Sequence, residues 1–295
     1  MKLIAKSAEM QSISESHRLA GKKIAVVPTM GYLHEGHISL IKKAKELADV
    51  VITTLFVNPT QFAPNEDFEK YPRSPERDYN LAQENGSDYL FNPATEEMYP
   101  GGFHSAINMT GITDKFEGEK RHNHFNGVAT VVAKLFNITK PHIAVFGQKD
   151  YQQTLAIYQL VRDFLFDLKV VVAPTIREND GLAMSSRNVY LSSAEREKAG
   201  VIYKSLSDAL LVIEKGENRR KIINAVLHNT LRSVHEIKID YASAADADTL
   251  EEPDVFLPGE HVILVIAVYL GKTRLIDNAL ITIPNDPHIK KHYFV

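Results

Sequence analysis

Short runs of β-branched residues alternate with amphipathic stretches along the first half of the chain, and this alternation restricts the fold more than any other feature. Lys23 to Val27 and Val50 to Val57 are typical of buried strands, whereas Ile38 to Leu47 places apolar residues at helical spacing. Three further strands and one helix are predicted at Tyr89 to Phe91, His142 to Phe146, Val170 to Ala173 and Leu155 to Phe166. The pattern favours an α/β fold, a Rossmann-like doubly wound parallel sheet with helices on both faces.

The C-terminal third of the chain has a different character. Ser192 followed by Glu195 is an N-cap pattern and predicts a helix from about Ala194 to Lys215. A second helix is predicted from Arg220 to Ile237, and three strand-like runs follow at 238–242, 262–270 and 274–281. We therefore predict a Rossmann-like, ligand-binding domain over residues 1–183. A small C-terminal α+β domain with an antiparallel sheet would follow over 184–283, and a loose tail over 284–295.

Composition excludes several classes of protein. Lys and Arg total 34 against 37 Asp and Glu, a formal net charge of −3, so a protein that coats nucleic acid is not expected. The chain has no cysteine, which excludes disulfides, thiolate catalysis and Cys-based metal sites. The longest apolar run, Val262 to Leu270, is far shorter than the ~20 residues that span a bilayer. We expect a cytoplasmic protein with no nucleic-acid partner and no membrane partner.

The segment from Pro28 to His37, PTMGYLHEGH, lies where a predicted strand ends and a helix begins. In parallel sheets this junction borders the ligand crevice, and a helix N-terminus offers N–H groups to phosphate. His34 and His37 are three residues apart and face the same side of an opening helical turn, so they are candidates to hold a triphosphate. A metal site is an alternative for such a pair, but no acidic third ligand lies in helical register.

Two further segments follow strands and carry polar side chains suited to a small substrate. Gln61, in FVNPTQF, can donate and accept hydrogen bonds, although an Asn-Pro turn with a solvated glutamine is the alternative. In FGQKDYQQ, Lys149 provides a point charge for phosphate, and Asp150 can accept ribose hydroxyls or help to hold magnesium. Gln153 lies about one helical turn beyond Asp150. Taken alone, this segment is also compatible with an ordinary helix start.

The segment IRENDGLAMSSRN, at 176–188, ends in two hydroxyls and a guanidinium. Ser185, Ser186 and Arg187 form a compact anion-binding group. The Asp180-Gly181 pair ahead of them is typical of a mobile turn. A loop of this kind can close over the phosphates of bound ATP, and an interdomain linker at the same place is compatible with that role.

Five segments together resemble those of the pantothenate synthetase (pantoate–β-alanine ligase) family: PTMGYLHEGH, FVNPTQFAPNEDFEKYPR, HFNGVATVVAKLFN, FGQKDYQQ and IRENDGLAMSSRNVYLS. The HxGH element also resembles the signature of the wider nucleotidyltransferase and class I aminoacyl-tRNA synthetase superfamily. The family resemblance is dense over residues 1–195 and looser beyond. It implies a C-terminal lid, a homodimer, and condensation of pantoate with β-alanine through a pantoyl-adenylate. ATP would be converted to AMP and diphosphate with Mg²⁺ present.

By position, the resemblance also implies the roles of individual residues. Gln61 is assigned to pantoate and β-alanine, Gln153 to pantoate, and residues 65–77 to a gate over the pocket. The catalytic candidates are His37, His34, Lys149, Ser185, Ser186 and Arg187. The ATP-binding candidates are Met30, Gly31, Tyr32, Leu33, His34, Glu35, Gly36, His37, Gly147, Gln148, Lys149, Asp150, Ile176, Met184, Ser185, Ser186 and Arg187. No dedicated metal site is predicted, because Mg²⁺ would be held mainly by the phosphates of ATP.

The chain departs from the family pattern at two places. Arg121 to Phe125 reads RHNHF where the family commonly has RPGHF, so a Pro and a Gly that restrict or free the backbone are both replaced. His122 adds a group of a type that titrates near neutrality. Gln148 stands where relatives often have Glu, which removes a charge beside Lys149.

Two other classes of function stay open at this point. One is another HxGH nucleotidyltransferase acting on a small phosphorylated acceptor, which would not need Gln61 and Gln153 around a small hydroxy acid. The other is a non-catalytic nucleotide-binding regulator, which would be expected to lose some of the four residues Lys149, Ser185, Ser186 and Arg187. A tRNA-charging enzyme is disfavoured, because the chain is short and carries a net charge of −3.

Overall fold

Six strands form a parallel sheet in the first part of the chain. A computed structural model describes residues 1–64 and 66–285. The strands are β1 (Lys2–Ile4), β2 (Ile24–Thr29), β3 (Val50–Leu55), β4 (Tyr89–Phe91), β5 (Ile143–Gly147) and β6 (Lys169–Ala173). They lie in the order β1-β4-β3-β2-β5-β6, and every neighbouring pair is parallel, as the alternation of strands and helices predicts.

Helices cover both faces of this sheet. They are α1 (Ser7–Leu19), α2 (Glu35–Leu47), α3 (Pro75–Glu84), α4 (Thr95–Met98), α5 (Glu117–Lys120), α6 (His124–Thr139) and α7 (Tyr151–Asp163). Ile24 and Val26 of β2 pack in one core with α1 and α6, whereas Ala25 and Val27 pack in a second core with α2. Successive strand residues point to opposite faces, so a sheet buried on both sides needs this continuous apolar run.

The second part of the chain forms a three-stranded antiparallel sheet with three helices. The strands are β7 (Ile237–Asp246), β8 (His261–Leu270) and β9 (Thr273–Thr282), in the order β7-β8-β9. The helices are α8 (Ser193–Ala199), α9 (Val201–Glu214) and α10 (Arg220–Arg232). The predicted α/β class with a smaller antiparallel α+β part is therefore confirmed. The single helix expected from Ala194 to Lys215 is wrong in detail, because α8 and α9 are separated at Gly200, where a Cβ would lie 3.1 Å from Asp180 Oδ2.

The chain divides into two compact units, Met1–Ala173 and the residues from Pro174 onward. The sequence boundary was expected ten residues later, after Ala183. The intervening residues belong with the second unit, since Arg177 pairs with Asp277 of β9. The tail expected over 284–295 lies outside the described residues beyond Asn285. No helix in the described ranges is both long enough and apolar enough to cross a membrane.

Candidate active site

Loops from three neighbouring strands meet at the carboxyl edge of the parallel sheet. From β2, the strands β3 and β4 extend to one side, whereas β5 and β6 extend to the other. Open parallel sheets bind ligands at such a switch in strand order. The loop after β2 and the turn after β5 border this crevice, and the turn after β3 lies next to them.

His34 and His37 cap the helix that begins between them. His34 is the N-cap residue of α2, and its Nδ1 accepts a hydrogen bond from Gly36 N at 3.1 Å. His37 Nδ1 lies 3.3 Å from His34 N and accepts in return, so the two side chains form a reciprocal capping box. The ring centroids are 4.1 Å apart, which brings the imidazoles to the same side, as their spacing predicts.

The cap determines which ring nitrogen carries the proton. Because both Nδ1 atoms accept backbone N–H groups, the neutral rings are protonated on Nε2. Burial lowers the pKa of His37 well below its usual value, and the charges of His34 and Lys149 lower it further. At neutral pH His37 is therefore an uncharged donor through Nε2–H. A Cβ at Gly147, the last residue of β5, would lie 3.9 Å from the side chain of Leu40, so the end of β5 packs against α2, the helix that carries His37.

Asp78, which is not among the site residues predicted from sequence, holds the loop that precedes α2. Its carboxylate accepts hydrogen bonds from Tyr32 N and Leu33 N, both at 2.7 Å, and the residue is only 2% exposed. The loop turns through the left-handed region at Gly31 (φ +89°) and Tyr32 (φ +52°). The side chains of Asp78, His34 and His37 therefore already accept hydrogen bonds from backbone N–H groups of the segment that was predicted to bind phosphate.

Gln61 lies in the 3-10 turn Pro59–Gln61 that follows β3. Its Oε1 accepts from Asn58 Nδ2 at 3.1 Å, and its Nε2 lies 3.2 Å from Met30 Sδ, so the β3 and β2 loops touch. The alternative of a solvated glutamine is wrong, because Gln61 is only 8% exposed. Asn58, also missed from sequence, is buried and donates to Gly127 O at 3.1 Å.

Helix α6 approaches the Gln61 turn so closely that only glycine fits at position 127. A Cβ at Gly127 would lie 2.4 Å from Thr60 O and 2.7 Å from Gln61 N. Real Cβ contacts are not this short, so any side chain there would displace the turn. The glycine in HFNGVATVVAKLFN therefore lets a core helix support Gln61 directly.

Lys149 and Asp150 lie in the 3-10 turn Gln148–Asp150, which joins β5 to α7. The Nζ of Lys149 is 3.6 Å from Asp150 Oδ1, and the lysine side chain is 19% exposed. Gln153 is partly exposed on the first turn of α7. Its neighbour Gln152 is buried and donates to Ile112 O at 2.6 Å. Gln152 therefore stabilises the surrounding backbone, whereas Gln153 is the partly exposed glutamine of this motif.

Ser185, Ser186 and Arg187 lie in the second unit, after a hairpin closed by an antiparallel bridge between Arg177 and Ala183. Ser185 is the N-cap of the 3-10 helix Ser186–Tyr190, and its Oγ accepts from Arg187 N at 3.2 Å. Ile176 and Met184 are paired across the hairpin by a 2.9 Å backbone hydrogen bond. The ATP-binding candidates of this segment therefore form one local group, which consists of Ile176 and Met184 to Arg187.

Ion pairs brace this hairpin where the sequence predicts a mobile turn. Arg196 of α8 bonds to Glu178 Oε2 at 2.6 Å and to Asp180 through both carboxylate oxygens. Glu178 Oε1 in turn accepts from Asn188 Nδ2 at 2.8 Å, immediately after the Ser185–Arg187 group. Glu178 and Arg196 are thus the missed residues of this group, since only the fold brings them together.

Residues 66–77, the described part of the predicted gate, border a cavity of about 220 Å³. Phe68, Arg73 and Ser74 line one side of it, and Met30 and Asn92 line another. The cavity lies at the carboxyl ends of β2, β3 and β4, next to the candidate site. Asn65 lies outside the described residues.

Asn123 explains how the chain tolerates its departure from the RPGHF pattern. It adopts φ +63° and ψ 0°, the left-handed conformation that glycine takes most readily and asparagine next. His122 is exposed in the same turn. The replacement of Gly by Asn therefore keeps the backbone turn that starts α6.

We expect His124, the first residue of α6, to make the protein acid-sensitive. Burial, reinforced by the charge of Arg121, lowers the pKa of His124 to about 4, although the Gln61 carbonyl, Glu117 and Glu66 oppose the shift. An unfolded histidine titrates near 6.5, so below that pH the unfolded chain binds a proton that the folded chain does not. Stability is therefore retained above pH 6.5 and lost as the pH falls toward 4.

The size of this effect is measurable by denaturation at two pH values. With these pKa values, about 2 kcal/mol of the free energy of unfolding is lost between pH 7 and pH 4.5. A His124→Gln variant has no titrating side chain at this position. Between the same two pH values it should therefore lose about 2 kcal/mol less of its free energy of unfolding than the unaltered protein, as measured by urea titration followed by circular dichroism. Equal losses in both proteins would contradict the prediction.

The structure brings His34, His37, Gln61 and Lys149 together at one edge of the first unit. Gly147, Gln148 and Asp150 border them, with Gln153 on the adjoining helix turn. Among the residues that the structure describes, no cluster of three or more His, Asp or Glu side chains has an arrangement that holds a metal ion. The grouping has a charge, two imidazole donors and carboxamides, which suits an anionic substrate with hydroxyl groups.

Comparison with known proteins identifies the family. A family profile described as Pantoate-beta-alanine ligase matches residues 2–280. The chain is 49% identical over 284 residues to pantothenate synthetase from Chlorobium phaeovibrioides, covering 96% of this chain and 97% of that protein. It is 50% identical over 282 residues to pantothenate synthetase from Chloroherpeton thalassium, covering 95% and 99%.

Solved structures agree with the sequence comparison. A crystal structure of pantothenate synthetase from Thermus thermophilus has a TM-score of 0.89 at 41% identity, covering 96% of this chain and all (100%) of that one. Pantoate-beta-alanine ligase from Francisella tularensis, complexed with beta-gamma ATP and beta-alanine, has a TM-score of 0.77 at 38% identity, covering 97% and 99%. With the profile spanning nearly the whole chain, this protein belongs to the pantoate–β-alanine ligase family.

Proposed function

We propose that the protein condenses pantoate with β-alanine to give pantothenate, converting ATP to AMP and diphosphate through a pantoyl-adenylate. The observation that carries this proposal is the meeting of the His34–His37 pair, Gln61 and Lys149 at the carboxyl edge of the sheet. Membership of the pantoate–β-alanine ligase family supports it. The solved relative complexed with beta-gamma ATP and beta-alanine supports the choice of two of the substrates.

In the first step, an oxygen of the pantoate carboxylate bonds to the α-phosphorus of ATP, and the bond from that phosphorus to the bridging oxygen of diphosphate breaks. The carboxylate is already ionised at neutral pH, so no base is required. The protein must align the reactants and stabilise charge on the departing diphosphate. We propose that Lys149 and the Nε2–H groups of His34 and His37 stabilise the charge on diphosphate. Gln61 and Gln153 would bind pantoate.

In the second step, the amine nitrogen of β-alanine bonds to the acyl carbon, and the bond from that carbon to the phosphate oxygen of AMP breaks. The nitrogen also loses a proton. His37 is a weak acceptor for it, because its pKa lies well below its usual value. We therefore assign His37 the role of hydrogen-bond donor in both steps, and departing AMP or water the role of proton acceptor.

Magnesium is best treated as part of the nucleotide substrate. Mg²⁺ characteristically binds through substrate phosphates and one or two carboxylates rather than through a cage of protein ligands. Asp150 Oδ1 lies 3.6 Å from Lys149 Nζ, so a carboxylate is present beside the lysine that we assign to phosphate. We propose that Mg²⁺ enters with ATP and neutralises phosphate charge.

The second unit supplies the other anion-binding group of the proposal. We assign Ser185, Ser186 and Arg187 to the phosphates of ATP, and Ile176 and Met184 to the nucleotide beside them. The expected domain roles, with the first unit binding substrates and the second acting as a lid, remain predictions. So do the homodimer and the cytoplasmic location.

Isotope exchange between ATP and diphosphate tests the first step directly. With Mg²⁺ and pantoate but no β-alanine, the purified protein should incorporate labelled diphosphate into ATP, because the adenylate forms reversibly. Adding β-alanine should then release AMP and pantothenate in equal amounts. If exchange does not depend on pantoate and β-alanine yields no AMP, the proposed function is wrong, and phosphorylated acceptors would be screened next.

A further inference from the structure

Glu66 and Arg121 form a bidentate ion pair beside the candidate site. Arg121 Nε lies 2.7 Å from Glu66 Oε1, and Arg121 Nη2 lies 2.8 Å from Glu66 Oε2. The two side chains are 21% and 14% exposed, respectively. Burial opposes ionisation of Glu66, but the hydrogen bonds and charge of Arg121 outweigh it and lower the pKa of Glu66. Both groups are therefore charged at neutral pH. A bidentate, partly buried arginine–carboxylate pair of this kind is among the stronger ion pairs found in proteins.

The same guanidinium continues to a buried histidine. Arg121 Nη1 lies 3.1 Å from His124 Nε2, and His124 Nδ1 lies 2.8 Å from the carbonyl oxygen of Gln61. Since arginine only donates, Nε2 must accept, and the proton of the neutral ring is on Nδ1. His124 therefore donates to Gln61 O, and the direction of every hydrogen bond from Glu66 to Gln61 is determined.

We propose that Glu66, Arg121 and His124 are positioning residues that hold Gln61 in the orientation that binds pantoate. This anchoring network, as we call these three residues, rests on the proposed function, in which Gln61 contacts the hydroxy acid. None of the three needs to contact the substrate. Their action passes through the peptide group of Gln61.

The anchoring network supports Gln61 through its backbone carbonyl, whereas other contacts support its side chain. The Gln61 carboxamide is fixed at its far end by Asn58 and lies against Met30. Its carbonyl is fixed by His124, the first residue of the buried helix α6. Loss of the carbonyl bond leaves the peptide group between residues 61 and 62 held only by the weaker 3.3 Å bond from Phe62 N to Pro59 O, so the turn that carries the Gln61 side chain is less firmly fixed.

The anchoring network also joins the predicted gate to the substrate turn. Glu66 N donates to Ala63 O at 2.9 Å, and Glu66 Oε2 lies 3.3 Å from Ala63 N, so the chain after Gln61 closes on itself before residues 66–77 begin. Arg121 then ties this closed turn to α6. The start of the gate and the Gln61 carbonyl thus share one anchor, although 55 residues separate Glu66 from Arg121 in sequence.

Two substitutions of His124 separate its two hydrogen bonds. His124→Asn keeps a donor near the Nδ1 position for Gln61 O but loses the acceptor for Arg121. His124→Gln keeps an acceptor near the Nε2 position but loses the donor. Because a buried hydrogen bond accounts for roughly a tenfold change in an equilibrium, we expect His124→Gln to raise the KM for pantoate about tenfold in the exchange assay. His124→Asn should raise it by less, and the KM for ATP should stay within about twofold in both.

Glu66→Gln provides a second route to the same result without a change in the core. It weakens the hold on Arg121, and we expect the KM for pantoate to rise about three- to tenfold. Glu15→Gln is the matched control, since Glu15 forms an exposed ion pair with Lys140 in the same unit. The double variant Glu66→Gln/His124→Gln should show less than the product of the single effects, as expected for residues of one network.

Each outcome of this experiment decides between distinct conclusions. If the unaltered protein shows no pantoate-dependent exchange, the proposed function is wrong and the anchoring network falls with it. If the unaltered protein exchanges normally and both His124→Gln and Glu66→Gln leave the KM for pantoate unchanged, the anchoring network alone is overturned. Equal rises in the KM for pantoate and for ATP would indicate a merely structural role and overturn it too. Should His124→Gln fail to fold, Glu66→Gln decides.

Discussion

Replacing Lys149 by alanine is expected to slow pantoate-dependent ATP–diphosphate exchange about 10²- to 10³-fold, the usual cost of removing one preorganised group that stabilises transition-state charge. Lys149 is a partly buried charge at the carboxyl end of β5 and is close enough to lower the pKa of His37. Its loss should therefore appear in kcat more than in the KM for ATP. The measurement is single-turnover adenylate formation with saturating ATP.

The matched control is Lys43→Ala. Lys43 is a 44% exposed lysine on α2 that pairs with Glu46, and its removal should change the rate less than twofold. A second signature distinguishes a nearby positive charge from a packing role. Without Lys149 the pKa of His37 should rise, so any acidic limb of the pH–rate profile moves to higher pH. A Lys149→Ala rate within fivefold of the unaltered protein would contradict the assignment.

Removing Asp277 is expected to cost about 3–5 kcal/mol in the stability of the second unit, because it leaves a buried guanidinium without its counter-charge. Arg177 bonds to Asp277 through two hydrogen bonds of 2.6 and 3.0 Å, with side chains 11% and 1% exposed. The chain has no tryptophan, so unfolding of Asp277→Ala is followed by circular dichroism or calorimetry.

The double variant Arg177→Met/Asp277→Leu is the informative control. Replacing both partners of a buried ion pair by apolar side chains is often neutral, whereas removing one is not. Glu217→Ala, which breaks a pair with the 63% exposed Arg219, should cost less than about 1 kcal/mol. If Asp277→Ala is no more destabilising than Glu217→Ala, the buried pair does not have the importance that its geometry indicates.

The parallel sheet was predictable from sequence because its strands are apolar on both faces. Helix α6 was not predicted, and the reason is physical. Residues 127–132 are GVATVV, in which a glycine and four β-branched residues, all with low helix propensity, surround a single alanine. Almost all of α6 is buried, so tertiary packing determines its structure. The break at Gly200 was missed although glycine is a poor helix former, because helical spacing of apolar residues continues on both sides of it.

The candidate site was predictable where a motif follows a strand and not where the fold supplies a partner. His34, His37, Gln61 and Lys149 all follow strands that the pattern predicts. Asp78 occurs in an ordinary helix surface sequence, PERD, and no local signal marks its carboxylate as the group that organises the loop after β2. The hydrogen bonds from Glu66 to His124 likewise depend on residues more than fifty positions apart.

The order of strands in the sheet has a consequence for how the chain folds as it is synthesised. β1 pairs with β4, and Lys2 lies beside Tyr89, so β1 is synthesised well before the strand with which it pairs. At about 5–20 residues per second, translation of the intervening residues takes roughly 4–17 s. During that interval β2 and β3, which both precede β4 in the chain, can already pair with each other. We therefore expect the β2–β3 pair, beside the proposed substrate crevice, to form before β1 joins β4 at the edge of the sheet.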